Sequence, residues 1–292
     1  MRLHVVDGTY ELYRAHFSKR PEHRDAQGRP AKAVAAFAAS LLALLHDAEE
    51  TVTHIAVAFD NPIRSFRNEL FEGYKTDEGV PPELRAQFDG AEEATRALGV
   101  VAWSMSTFEA DDALATAAVR FATEVEQVRI LTPDKDLHQV VAGSRIVQVD
   151  RVRRRVIDEA AVRAQWGIAP SLMADLLALT GDPADGVPGL PGFGPKTAAV
   201  LLSAFGSLDA IPDDGAQWPA SVRGAARLAP VLRARRADAR LYRELTRLRL
   251  DVPLGGGLDA LRFDGTPRAR FLAFCEEYKL RTLAERPTRW LP

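Results

Sequence analysis

Carboxylates recur in this sequence where short apolar runs stop. Residues 3–6 end at Asp7, residues 54–59 end at Asp60, and residues 128–132 are followed by Asp134 and Asp136. Residues 100–103 lead to Glu109, Asp111 and Asp112, and Leu179-Thr180-Gly181 leads to Asp182 and Asp185. Nine carboxylates gathered in one place cannot all stay ionised, because like charges raise each other's pKa. Hard divalent cations resolve that conflict, since Mg²⁺ takes oxygen ligands and keeps several waters. Two such ions about 3.5–4 Å apart suit in-line cleavage of a phosphodiester. Each acid also has a plainer reading: Asp7, Asp111 or Asp112 would serve as a helix N-cap. The joint recurrence at strand ends is what caps alone do not explain.

The elements that must position these groups follow from the apolar pattern. The short runs read as strands, and helical spacing at three and four fills 31–50, 91–98 and 111–123 between them. Strands alternating with helices predict an α/β fold with a mostly parallel central sheet flanked by helices. In such sheets ligands sit beyond the carboxyl ends of the strands, which is where the acids fall. A run at 145–149 ends at Asp150 with Arg151-Val152-Arg153-Arg154-Arg155 behind it, which predicts a hairpin turn. From Ser171 the pattern is helical, with 171–180 and 196–205 separated by a Gly/Pro-rich turn. We therefore expect an α/β core over 1–180, interrupted by an arch insertion about 66–91, and a helical part over 181–292.

Other chemistries find little support. The six histidines form no HExxH zinc motif, no GxSxG elbow is present, and Cys275 falls on an apolar helix face. In the stretch 192–197, Pro195 separates Gly194 from Lys196, so a nucleotide-binding GK[ST] loop is excluded. What remains there is a glycine-rich turn into a helix N-terminus, able to hold a backbone phosphate. The formal net charge of -2 conceals two opposed halves. Residues 1–186 carry a net of -8 and residues 187–292 a net of +6, with nine arginines between 223 and 249. A single cysteine and the lack of a long apolar run predict a cytoplasmic protein with no membrane partner.

With these residues assembled, the chain resembles the 5'-nuclease family: the 5'→3' exonuclease domain of bacterial DNA polymerase I, phage 5'-nucleases and flap endonucleases. The resemblance is carried by Val6-Asp7-Gly8 with Tyr13-Arg14, Phe59-Asp60, Ser65-Phe66-Arg67, Gly73-Tyr74-Lys75, the 109–112 cluster, Thr132-Pro133-Asp134-Lys135-Asp136 and the 180–185 segment. It implies a PIN-like 5'-nuclease core, a helical arch and a helix-hairpin-helix motif at about 171–205. It implies that Asp7, Asp60, Glu109 and Asp111 form one metal site and Asp134, Asp136, Asp182 and Asp185 a second, with Asp112 between them or behind the ligands. It places Arg67 and Lys75 over the scissile phosphate, and Arg14, Tyr74, Gly192, Gly194, Lys196 and Thr197 against DNA. The cofactors implied are two Mg²⁺, replaceable by Mn²⁺, with K⁺ at the helix-hairpin-helix turn.

On that resemblance the expected activity is a 5'→3' exonuclease or 5'-flap endonuclease acting in replication or repair. The expected partners are DNA with 5' ends, flaps, nicks or gaps, RNA–DNA hybrid, and a DNA polymerase acting in trans on a stand-alone monomeric nuclease. Arg233, Arg235 and Arg236 are expected to grip the duplex backbone. Two departures favour other readings. Asp77 and Glu78 stand where arch residues are usually basic, which would suit a structure-specific DNA-binding protein with weak catalysis. Gly186 replaces a usual Asn behind the second metal site. A metallonuclease directed at RNA is the third reading.

Overall fold

The computed structural model describes all 292 residues, arranged in two compact units. The first comprises Met1–Arg64, Asp77–Thr132 and Leu250–Pro292; the second comprises Ser65–Thr76 and Pro133–Arg249. This differs from the expected division at residue 180. The C-terminal segment returns to the α/β unit, where Phe263 N donates to Thr53 O at 3.0 Å and Val252 N to Thr116 Oγ1 at 3.3 Å. Its charge belongs to that unit, so the halving of the sequence by charge does not mark a structural boundary.

In the first unit, four parallel strands form the sheet core: β1 (Arg2–Asp7), β2 (His54–Asp60), β3 (Val101–Met105) and β4 (Gln127–Leu131), in the order β3-β2-β1-β4. Leu3, Val5, Ile55, Val57, Val128 and Ile130 are fully buried, as continuous apolar strands covered on both faces should be. The crossovers are the helices Lys32–Leu45, Phe88–Ala97 and Ala110–Phe121, close to the spans that the apolar spacing predicts. The chain adds β2 and β3 on one side of β1 and returns to place β4 on the other. The switch point therefore lies at the carboxyl end of β1, where Asp7 stands.

The expected arch at 66–91 is not one continuous element. It holds single turns at Arg67–Leu70 and Pro82–Arg85 and the start of the Phe88–Ala97 helix, and its residues 66–76 belong to the second unit. Asp77 is ion-paired with Arg85, so a cation of the same segment stands beside one of the two acids expected to repel DNA.

The second unit holds an antiparallel hairpin, β5 (Ile146–Asp150) and β6 (Arg155–Ile157), turning after Asp150 as the sequence predicts. The rest is helical: Glu159–Trp166, Met173–Thr180, Pro195–Phe205, Ala225–Ala234 and Arg236–Thr246. Met173, Leu179, Leu201, Leu208, Leu232 and Leu245 pack with Tyr74 into its core. Burying each large aliphatic side chain contributes about 2 kcal/mol, which ties the helices around the Gly/Pro-rich turn.

Candidate active site and nucleic-acid interface

The first unit orders its acids by spending part of each on the backbone. Asp7 caps the Gly8–His16 helix, Oδ1 accepting from Tyr10 N at 2.8 Å, while Oδ2 accepts from Thr132 Oγ1 at 2.8 Å. Thr132 directly follows β4, so the two strands flanking the switch point fix one carboxylate. Asp60 Oδ1 accepts from Ala110 N at 2.8 Å, and Thr9 Oγ1 accepts from Asp60 N at 2.8 Å. Glu109 and Asp112 form a reciprocal capping box at the start of the Ala110–Phe121 helix. Asp112 is fully buried and its Oδ2 accepts from Glu109 N at 3.0 Å. The structure thus gives Asp112 the task of fixing the Glu109 turn, not that of an open ligand. Asp111, half-buried in the first helical turn, lies where N–H dipoles favour negative charge. The capping and ligand readings are compatible: the cap aims an acid that retains lone pairs.

In the second unit, Asp136, Asp182 and Asp185 converge, with ligand oxygens all within 4.8 Å of one another. Asp134 stands apart: it is exposed, and its Oδ1 accepts from Asp136 N at 2.9 Å, capping the Lys135–Val140 turn. Two lysines face the trio. Lys135 Nζ lies 2.5 Å from Asp182 Oδ2 and 3.4 Å from Asp136 Oδ1, and Lys75 Nζ lies 2.9 Å from Asp185 Oδ1. Burial, and then the charges of Asp134, Asp185 and Asp182, push the Asp136 carboxyl well above the usual range, against the pull of Lys135. Its Oδ1 is buried and accepts no hydrogen bond. An all-oxygen trio with one buried oxygen that accepts no hydrogen bond fits a hard divalent cation.

The segment 73–75 clasps this corner. Lys75 N donates to Asp185 O at 3.1 Å, and Tyr74 Oη donates to Asp185 Oδ2 at 3.4 Å. Tyr74 is 3% exposed within the unit's core, so the structure makes it a support for Asp185 and not a DNA contact. Gly186 has φ +75°, and a Cβ there would lie 2.1 Å from Gly73 O. The glycine in place of the usual Asn is therefore what lets the two segments meet.

Arg67 departs most from expectation. It is 1% exposed, Nε donating to Leu245 O at 2.7 Å and Nη2 to Arg247 O at 2.9 Å. Those two bonds tie down the C-terminal end of the Arg236–Thr246 helix and consume donors that a phosphate would need. Arg14 is paired with Glu11 and donates to Ser40 Oγ at 3.1 Å, keeping a part-exposed guanidinium.

The glycine-rich turn leads into the Pro195–Phe205 helix with Gly194 as N-cap and Pro195 at its first position. Gly192 has φ +83°, and nothing crowds Gly194. Lys196 is exposed and Thr197 half-buried in the first turn, so N–H groups and an ammonium face outward together. The arginine-rich stretch is mostly spent internally. Arg235 pairs with Asp238 at 2.8 Å, and Arg236 donates to Leu208 O at 2.9 Å and Ile211 O at 2.7 Å besides pairing with Asp213. Arg236 is therefore a packing clamp, and Arg235 is half engaged. Arg233 remains exposed. Sequence reasoning missed Arg227, whose Nη1 lies 3.0 Å from where a Gly192 Cβ would stand, beside the glycine-rich turn. Only the seating of the Ala225–Ala234 helix singles it out from its neighbours.

Comparisons with known proteins bear on the family and the fold. Residues 2–167 match the model of the 5'-3' exonuclease N-terminal resolvase-like domain, and residues 168–269 match the 5'-3' exonuclease C-terminal SAM fold. The chain is 38% identical over 290 residues to DNA polymerase I of Rhizobium leguminosarum, and 34% identical over 291 residues to that of Bacillus caldotenax. These alignments take in 97% and 98% of this chain but only 28% and 32% of the polymerases. In fold it is similar to the D15 protein of phage T5 co-crystallised with metal ions, with TM-score 0.63, 18% identity, and 98% and 100% of the two chains covered. It is also similar to the catalytic core of Rad2 in complex with DNA substrate, with TM-score 0.57, 17% identity, and 94% and 87% covered. The chain belongs to the 5'-3' exonuclease family and is a nuclease.

Proposed function

We propose that the chain is a divalent-metal-dependent 5' nuclease that trims 5' ends and cuts 5' flaps at nicked, gapped or branched DNA during replication or repair. The observation that carries the metal dependence is the Asp136–Asp182–Asp185 trio with its unsatisfied buried oxygen. Asp136, Asp182 and Asp185, with Asp134 alongside, would hold one Mg²⁺; Asp7, Asp60, Glu109 and Asp111 would hold another, and Mn²⁺ would serve in either place. Bound there, such ions lower the pKa of an attacking water and stabilise a leaving oxygen. Lys75, paired with Asp185, would follow a phosphate that displaces its ion pair and would stabilise developing charge.

Gly192, Gly194, Lys196 and Thr197 would receive a backbone phosphate, with K⁺ held by main-chain carbonyls, and Arg14 and Arg233 would add further contacts. Such contacts read structure and not sequence. Because the chemistry is on the phosphate, RNA–DNA hybrid is included among the substrates. We further propose that the protein works as a cytoplasmic monomer beside a DNA polymerase. The pairing of Asp77 with Arg85 weighs against the reading of a binding protein with impaired catalysis.

A 5'-flap duplex labelled at its 3' end tests the reading. With Mg²⁺, wild type should shorten the labelled strand at the flap junction, and Asp111→Asn should bind the duplex while cutting it at least about a hundredfold more slowly. Equal cutting by both proteins, or a preference for RNA single strands, would contradict it.

A further inference from the structure

The β5–β6 hairpin meets the site described above only at its base, where Gln148 Nε2 donates to Asp134 O at 2.7 Å, yet its tip carries four arginines among residues 150–155 against the single acid Asp150. We propose that this hairpin is a second contact for the phosphate backbone of duplex DNA, separate from the glycine-rich turn. The inference rests on the reading that the chain works on DNA.

The tip is built, not loose. Asp150 is 4% exposed, accepting from Arg153 N on Oδ1 at 2.9 Å and from Arg153 Nη1 on Oδ2 at 2.9 Å. That one acid is thereby spent on shaping the turn. Arg154 has φ +52°, a left-handed conformation that a glycine or asparagine would adopt more readily. The turn thus keeps a cation at a position whose geometry favours an uncharged residue. Arg154 and Arg155 are both exposed, flanked by Val152 at 59% and Val156 at 54% exposure.

The occupant follows from the chemistry of the tip. Forked guanidinium groups match phosphate oxygens and hold a backbone without reading bases. Single-stranded nucleic acid is recognised through aromatic platforms, and residues 146–157 contain no aromatic side chain. An acidic polypeptide adding to the β6 edge would find a ladder of only three residues, Arg155–Ile157. A two-stranded ribbon with arginines at its tip fits the backbone of a duplex.

The test is the double variant Arg154→Gly/Arg155→Ser, in which the glycine relaxes the turn, so loss of fold is not the expected result; thermal unfolding checks this. Binding of a blunt duplex and of a single strand is measured in EDTA across a salt series, so that no cleavage intervenes. The variant should bind the duplex several-fold more weakly, with the log–log salt slope reduced by about two, at roughly 0.9 per lost phosphate contact. Single-strand affinity should change less. Unchanged duplex affinity and slope would overturn the proposal. So would unchanged DNA binding accompanied by lost binding to poly-glutamate, which would make the hairpin a protein-docking edge. Hairpin-dependent duplex binding by a protein that cuts nothing in Mg²⁺ would sustain this proposal while removing the proposed function.

Discussion

Arg67 and Lys75 look alike in sequence, two cations in one short segment, yet the structure gives them opposite work. Lys75 keeps 30% of its side chain exposed and faces a carboxylate, whereas Arg67 is buried against two main-chain carbonyls. Removing Arg67 strands both acceptors inside the core, at a cost of about 1–3 kcal/mol each. Arg67→Ala should therefore destabilise the protein by about 3 kcal/mol or more in denaturant unfolding, while Lys75→Ala should leave the midpoint near wild type and slow cleavage. A normal unfolding curve for Arg67→Ala with cleavage abolished would return Arg67 to the phosphate. Residue type marked both positions, but only burial tells a clamp from a contact. The same distinction separates Arg236 from Arg233, and Tyr74 from a DNA-facing aromatic.

Strand ends and turns were the legible elements. Apolar runs stopping at acids located β1, β2 and β4, and the switch point at β1 follows from parallel order alone. The hairpin after Asp150 and the helix at Pro195–Phe205 were legible for the same reason: local turn chemistry sets them. The 66–91 segment was not, because its short turns are held by partners distant in sequence, such as Asp185 and Leu245. Gly186 shows the limit clearly. Read locally it loosens a turn; packed against Gly73 O it is required. Gly186→Asn should therefore lower the melting temperature and weaken divalent-metal binding at the trio, measured by Mn²⁺ titration. An unchanged melting temperature and Mn²⁺ affinity would show that the clasp does not position Asp185.

Across the molecule, charge is organised in three ways that the net value of -2 hides: acids gathered in clusters, arginines spent on structure, and arginines left outward. The structural class includes Arg129, which with His4 holds Glu50 beneath the sheet at 2.6 and 3.0 Å. Burial alone would raise the Glu50 pKa, but the bonds from His4 and Arg129 outweigh it and bring it down from 4.5 to about 2. A depressed carboxylate stabilises the fold fully above its unfolded pKa, and that contribution fades as pH falls through the folded value. The melting temperature should thus drop between pH 4.5 and about 2, and Glu50→Gln should flatten that limb; an identical acid profile would contradict the assignment. Which of the 38 cations fell in which class could not be read from composition, since it depends on carbonyls and acids brought close only by folding.

The proposed hydrolysis of 5'-ended DNA depends on divalent cations held by both carboxylate sets. Its most direct test is the single-turnover rate of cutting a 5'-flap duplex as Mg²⁺ is raised from zero. No cutting is expected in EDTA, and the rate should rise with about the second power of Mg²⁺ below saturation, as two required ions demand. Cutting that persists in EDTA, or a bound flap left intact in both Mg²⁺ and Mn²⁺, would contradict it.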